Sequence, residues 1–277
     1  MPLTHHFPTV PPESLLLERD FRSSIAALAE EARLAAYSVL TRAHSAYAPT
    51  TFQLHDDIVV AHQRGAALAF PRPLPIITHA HVAFGYVDWK FRKYTLPGFV
   101  DVNPGDVVLD CGAYVGGFAL GAQATASHVH VFEPEPRNFA CLARNLENAG
   151  NVSLNQLALY NRVGSLSLNI SSSSVEHSIL APDNGDTVSQ LPVDVVSIAE
   201  YFQAGHLERL DFVKIDAEGV EPEVVAGFGA IRPRNLAVDV SPERDGESPA
   251  AELLGLLVDM GYETRTRGHV LFARAQR

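Results

Sequence analysis

Between positions 14 and 47 the apolar residues recur every three or four places. Leu17, Phe21, Ile25, Leu28, Ala32, Ala35 and Val39 fall on one side and Glu30, Glu31 and Arg33 on the other, which predicts one long amphipathic helix. Such a helix can cover a main domain, cap an acceptor pocket or pair with a second copy, so a homodimer through it stays open. Residues 1–13 are proline-rich and read as loose. Residues 58–62 and 66–70 predict a small hairpin around Gln63-Arg64-Gly65. The PRPLP cluster at 71–75 forbids regular structure, and 77–94 has no clean period. Its aromatic and imidazole side chains His79, His81, Tyr86, Trp89 and Tyr94 are minor candidates for a pocket.

From residue 107 the pattern becomes short apolar runs alternating with helical stretches. Residues 107–109 form a β-branched run suited to a strand buried on both faces. A glycine turn, a helix over 118–126 and a second strand at 129–132 follow. Phe139, Leu142 and Leu146 then mark the buried face of a helix that Gly150 closes. Further strands are expected at 152–159, 165–170, 193 onward, 210–215 and 235–240. Ser248-Pro249 opens a helix running to Gly261, and 263–267 with 269–274 make a terminal hairpin. The serine tract at 171–178 reads as a loop able to order over a ligand. Strands alternating with helices predict an α/β fold with a mostly parallel sheet. Residues 1–98 are then a helical and mixed N-terminal extension, and 99–277 a nucleotide-binding domain.

Composition narrows the partners. A net charge of −11 argues against a nucleic-acid backbone, which needs a basic stripe. No apolar run reaches the roughly eighteen residues of a membrane span. Two cysteines do not make a disulfide framework, so a cytoplasmic setting is expected. Of the twelve histidines only His5-His6, His79-x-His81 and His128-x-His130 are paired, and none of these lies beside a Cys or acid pair at zinc-ligand spacing.

The chemistry concentrates in two places. The first is the turn Asp110-Cys111-Gly112-Ala113-Tyr114-Val115-Gly116, followed one strand later by Glu133 and Pro134. Strand, glycine turn, helix, strand and acid make a βαβ nucleotide-binding unit, in which the acid can accept from both ribose hydroxyls. The glycines are not spaced G-x-G-x-x-G, and a carboxylate just before them repels a pyrophosphate. It suits a ligand bearing a sulfonium or ammonium. This turn resembles motif I of S-adenosylmethionine-dependent methyltransferases. The second place is Asp211-Phe-Val-Lys-Ile-Asp216-Ala-Glu218-Gly-Val-Glu221, which sets three carboxylates at the carboxyl end of a strand, where doubly wound sheets bind ligands. So many acids need donors, cations or shared protons; helix capping by Glu218 or Glu221 is the plainer use of those two.

Taken together, PGDVVLDCGAYVG at 104–116, VFEPEPRNFACLARNLENAGNVSL at 131–154, the segment 158–164 and FVKIDAEGVEPEVVAG at 212–227 resemble the FkbM family of methyltransferases. The resemblance implies a Rossmann-like seven-stranded class I methyltransferase fold with an antiparallel C-terminal hairpin. It also implies S-adenosyl-L-methionine as donor, S-adenosyl-L-homocysteine as product, and O-methylation of a small molecule such as a sugar or polyketide. By position, Asp110, Gly112, Ala113 and Gly116, with Tyr114 beside them, would surround the methionine part of the cofactor. Glu133 with Pro134 would hold the ribose, Gln156 and Ala158 would flank the adenine, and Asp216 would lie near the methyl. Asp239 stands where the family more often has glutamate, and the resemblance does not reach residues 1 to about 95.

The implied reaction is displacement at the methyl by an acceptor oxygen, with alignment and removal of one proton left to the protein. Asp216 is the candidate base or orienting group, supported by Glu218 and Glu221, with Lys214 neutralising part of their charge. A less favoured variant adds Mg2+ between Asp216 and Asp239. N-methylation on the same fold, a nicotinamide-dependent oxidoreductase and a non-catalytic nucleotide-binding protein are the rivals.

Overall fold

The computed structural model describes residues 12–175, 177–180, 187–206, 209–244 and 246–276. The proline-rich stretch 1–11 and Glu176 of the serine tract lie outside the described residues. By contacts the chain divides into one compact unit of residues up to 68 together with 72–86, and a second of residues 69–71 and 87–277.

The first unit opens with α1 (Pro12–Ile25) and α2 (Glu30–Ala43), not with one long helix. The break falls before two glutamates that suit a helix start and are drawn into tertiary bonds. Glu30 accepts from Arg72 Nε at 2.6 Å and from the Leu74 N–H at 2.7 Å. The Tyr37 hydroxyl donates to Glu18 at 2.5 Å, tying α2 to α1. An apolar stripe read one residue at a time does not reveal such a break.

Next come β1 (Thr50–Leu54), β2 (Ile58–Gln63) and β3 (Ala66–Pro71), a small sheet in that order around the expected Arg64-Gly65 turn. The region without a clean period is helical: α3 (Ile76–Ala83) and, from Val87 on already part of the second unit, α4 (Tyr86–Lys93). Both are shorter than the window over which helical periodicity becomes visible. His79 is fully buried between the rings of Tyr37 and Phe52 and bonds the Pro75 carbonyl through Nδ1. It is a core histidine.

The second unit carries β4 (Val107–Cys111), α5 (Gly117–Ala122), β5 (His128–Phe132), α6 (Pro136–Asn145), β6 (Val152–Asn155), β7 (Ala158–Tyr160), β8 (Gly164–Ser171), β9 (Thr187–Ser197), α7 (Ile198–Tyr201), β10 (Phe212–Ile215), α8 (Glu221–Ala226), β11 (Asn235–Asp239), α9 (Ala250–Asp259), β12 (Tyr262–Arg267) and β13 (Val270–Ala275). Seven strands form one sheet in the order β12-β13-β11-β10-β4-β5-β6. β4, β5, β6, β10 and β11 are parallel, and β13 runs antiparallel between β11 and β12. Alternation along the strands splits the core between the two faces. Leu109, Val213, Ile215, Leu236 and Leu257 pack on one side, and Val108, Val129, Val131, Phe212 and Phe272 on the other.

The run 152–159, expected as one strand, is two. β6 closes the main sheet, whereas β7 leaves it for a second small sheet ordered β7-β9-β8. The apolar pattern continues across Gln156-Leu157, and only the change of pairing partner marks the switch. No helix among the described residues is long and apolar enough to cross a membrane.

Candidate active site

Parallel register brings the chemically distinctive residues to one edge of the sheet. Cys111 pairs with Phe132 and with Ile215, and Ile215 pairs with Val238. The next residues along these strands, Gly112, Glu133, Asp216 and Asp239, therefore emerge side by side at the carboxyl ends, the ligand edge of a doubly wound sheet.

Beneath this edge Asp110 and Lys214 are register partners, both essentially inaccessible. Nζ lies 3.0 Å from Asp110 Oδ1 and also donates to the carbonyls of Cys111 at 2.9 Å and Gly112 at 2.6 Å. Asp110 thus spends its charge on Lys214, and the pair pins the glycine turn from below. Gly112 has φ +70°, and a Cβ there would sit 1.8 Å from the Asp216 carbonyl oxygen. What a side chain would block at this position is the neighbouring strand of the protein itself. Gly116, Ala113 and the partly exposed Tyr114 complete the turn.

Glu133 is 6% exposed and accepts one N–H on each oxygen, from Tyr114 at 2.8 Å and from Glu135 at 3.0 Å. Burial pushes its carboxyl up to about 7. With these N–H bonds and the Asn138 side chain also bearing on it, the carboxylate keeps acceptor capacity for a ribose hydroxyl, so the residues present fit an adenosyl ligand. Pro134 follows, partly exposed. Gln156 is exposed in the link between β6 and β7, and Ala158 is buried in β7 opposite Val195.

Asp216 is the centre of a cluster. The Tyr94 hydroxyl donates to Asp216 Oδ2 and approaches Asp239 Oδ2 at 3.4 Å. Lys93 Nζ lies 2.6 Å from Asp239 and 3.8 Å from Asp216. Burial alone would raise Asp216, but Lys93, Lys214, Lys90 and the Tyr94 bond together hold it well below the usual carboxylate range. Tyr94 is fully buried, and burial with Asp216 and Asp239 keeps its hydroxyl protonated. Of the five candidates at 79–94, Tyr94 reaches the acids.

The two glutamates separate in role. Glu221 Oε1 accepts from the N–H groups of Ala217 at 2.8 Å and Gly219 at 3.2 Å, closing the turn at the start of α8, and burial pushes it up to about 7. Glu218 stays partly exposed at φ +51°. Burial, reinforced by Glu243, raises it well above the ordinary value, and burial with Asp216 likewise pushes Glu243 up to about 9. Tyr114 (φ +52°) and Glu218 are two of the three described non-glycine residues with positive φ, and both flank this edge. The serine segment spans it: Ser174 bonds the Tyr114 hydroxyl at 3.1 Å and accepts from Asn138 at 3.1 Å, while Ser178 donates to the Glu218 carbonyl.

Lys90, Lys93 and Glu243 were not legible as site residues. In the sequence Lys90, Arg92 and Lys93 make only a short basic cluster, which reads as a solvated face. A signal was available: Lys90, Lys93 and Lys214 are the chain's three lysines, and all three bear on Asp216. The pair Asp216–Asp239 does not fit a magnesium ion, because the Lys93 ammonium already stands against both carboxylates.

Strand order, glycine turn and acidic carboxyl edge together define a Rossmann-like class I methyltransferase. The sequence profile of the Methyltransferase FkbM domain matches residues 110–264, more than half of the chain, and the chain belongs to that family. The 31-O-demethyl-FK506 methyltransferase FkbM of Streptomyces tacrolimicus is 28% identical over 236 residues, 71% of this chain and 89% of that protein. Among solved structures, methyltransferase FkbM of Methylobacillus flagellatus KT matches at 16% identity and TM-score 0.46, over 72% of this chain and 53% of that one, so the chain spans about half its length. The magnesium protoporphyrin IX methyltransferase of Synechocystis PCC 6803, solved with bound SAM, matches at 13% identity and TM-score 0.42, over 73% and 81% of the two chains.

Proposed function

We propose that the protein is an S-adenosylmethionine-dependent methyltransferase that methylates a hydroxyl of a small molecule. The observation that carries this reading is the placement of Asp216, held by Tyr94, on the same strand-end edge as the glycine turn and Glu133. The name of the Streptomyces relative supports oxygen as the methylated atom, since it specifies the 31-O position of its substrate. When bound, S-adenosylmethionine supplies a methyl group activated by a sulfonium. Glu133 would hold the ribose, and the turn 110–116 the methionine end. Asp216, strongly ionised, is a weak base and serves better as an acceptor of hydrogen bonds that orients a substrate hydroxyl.

Thermal unfolding tests the cofactor. S-adenosylhomocysteine at about a hundred times its dissociation constant should stabilise by roughly 2.7 kcal/mol and raise the midpoint by several degrees, with NADH giving no shift. A shift with NADH alone overturns the reading. A positive result leads to a screen of hydroxyl compounds for production of S-adenosylhomocysteine.

A further inference from the structure

Side chains hold the glycine turn along its whole length. At its strand end Lys214 donates to the carbonyls of Cys111 and Gly112, and in the middle the Tyr114 N–H donates to Glu133. At its helix end the hold comes from Asn145, the last residue of α6. The Asn145 Nδ2 donates to the Val115 carbonyl at 2.9 Å and to the Ala69 carbonyl at 2.9 Å, while Oδ1 accepts the Ala69 N–H at 2.7 Å. Ala69–Pro71 are the residues of β3 that belong to the second unit. One amide thus takes both backbone groups of Ala69, as a neighbouring strand would, and spends its remaining N–H on the turn. The set of one acceptor and two donors is what a side-chain amide supplies, and its backbone partners fix which way round it lies.

The surroundings make the bond to Val115 matter. Val115 and Ala69 are both buried, so a carbonyl that loses its donor there cannot turn to water instead. The helix also packs directly on the turn: a Cβ on Gly116 would lie 2.7 Å from Leu142 Cδ1 and 3.2 Å from Leu146 Cδ1. Tyr114, next to Val115, has φ +52°, a conformation that persists in a tyrosine where its neighbours impose it. The ring of Phe70, next to Ala69, has its centroid 6.5 Å from that of Tyr114. Releasing Val115 would free the turn beside its strained residue.

We propose that Asn145 is a positioning residue for the cofactor: it clamps Val115 to Ala69 and so keeps the glycine turn in the shape that receives the methionine end of S-adenosylmethionine. The inference rests on the methyltransferase reading above. Asn145 acts through the turn and not by contact with the ligand.

Calorimetry on Asn145→Ala with two ligands tests this. S-adenosylhomocysteine carries the amino-acid end, whereas methylthioadenosine has the same adenosyl group and sulfur without it. The variant should bind S-adenosylhomocysteine ~10-fold or more weakly and methylthioadenosine within about twofold of the wild type. A general loss of structure would weaken both ligands alike. Asn145→Asp keeps the acceptor for the Ala69 N–H and loses both donors. It should show the same split, and it serves alone if Asn145→Ala does not fold. Amide exchange without ligand should quicken at 113–117 in either variant. Equal weakening of the two ligands, unchanged binding of S-adenosylhomocysteine, or unchanged exchange at 113–117 overturns the proposal. A wild type that binds neither ligand overturns the methyltransferase reading instead, and the exchange comparison still shows whether Asn145 holds the turn.

Discussion

Tyr94 gives the site its geometry through a single oxygen. Its ring is edge-on to Phe118, and its hydroxyl reaches carboxylates on two strands. Tyr94→Phe keeps the buried ring and removes only that hydroxyl. The variant should fold and lose about 2 kcal/mol of stability, as expected for a hydrogen bond to a charged group. Asp216 would then be free to turn toward Lys93, and a misplaced orienting group can cost ~100-fold in turnover. Binding of S-adenosylhomocysteine, read by calorimetry, should change by less than about twofold, because Glu133 and the glycine turn are untouched. Equal loss of binding and turnover would instead make Tyr94 a support of the cofactor pocket. The glycine turn, Glu133 and the acids after β10 were legible in the sequence because each is defined by residues within one strand-turn-helix unit. The partnership of Tyr94 with Asp216 spans 122 positions, and no local pattern encodes it.

Among the elements, the serine segment after β8 joins both halves of the site edge. Asn138 of α6 and Tyr114 of the glycine turn meet Ser174, and Ser178 reaches the turn after β10. Ser178 also accepts from the Leu180 N–H at 3.0 Å, so one hydroxyl ties two loops. Ser178→Ala should speed amide exchange in the segments around 178–180 and 217–219 while moving global stability by only about 1 kcal/mol. Unchanged exchange at both segments would show that the hydroxyl holds neither. The sequence indicated a loop there, and its anchoring became visible only with the sheet assembled. The same limit explains the strand at 152–159 that proved to be two, and the helix that breaks where Glu30 meets Arg72 and Leu74. Periodicity reports which face is buried; it does not report against which partner.

For the whole molecule, the buried carboxyls set how stability responds to pH. Glu221 titrates near 7 in the folded chain against an ordinary 4.5, so the folded state binds its proton more tightly than the unfolded state does. Its contribution is complete below pH 4.5 and is lost as pH rises through 7, and a displacement of that size is worth roughly 3 kcal/mol. Glu133 acts with the same sign over the same window, whereas His79, lowered to about 4 by burial, contributes above 6.5 and loses that contribution on acidification. In Glu221→Gln the amide stays neutral. Denaturant unfolding of the variant minus that of the wild type should therefore rise by up to that amount between pH 4.5 and 7. A flat difference would mean that Glu221 titrates normally.

The scarcity of amines has a practical consequence for anyone handling the protein. Coupling reagents that target primary amines, such as succinimidyl esters used to fix proteins to sensor surfaces or to cross-link them, find only the chain's amino end and the three lysines of the site. Of those three, Lys214 is 3% exposed and the Lys93 side chain 31%. Attachment through amines would either tether the chain at its first residue or modify the very residues under study. Biotin placed on an engineered surface cysteine avoids both, since Cys111 and Cys141 are buried.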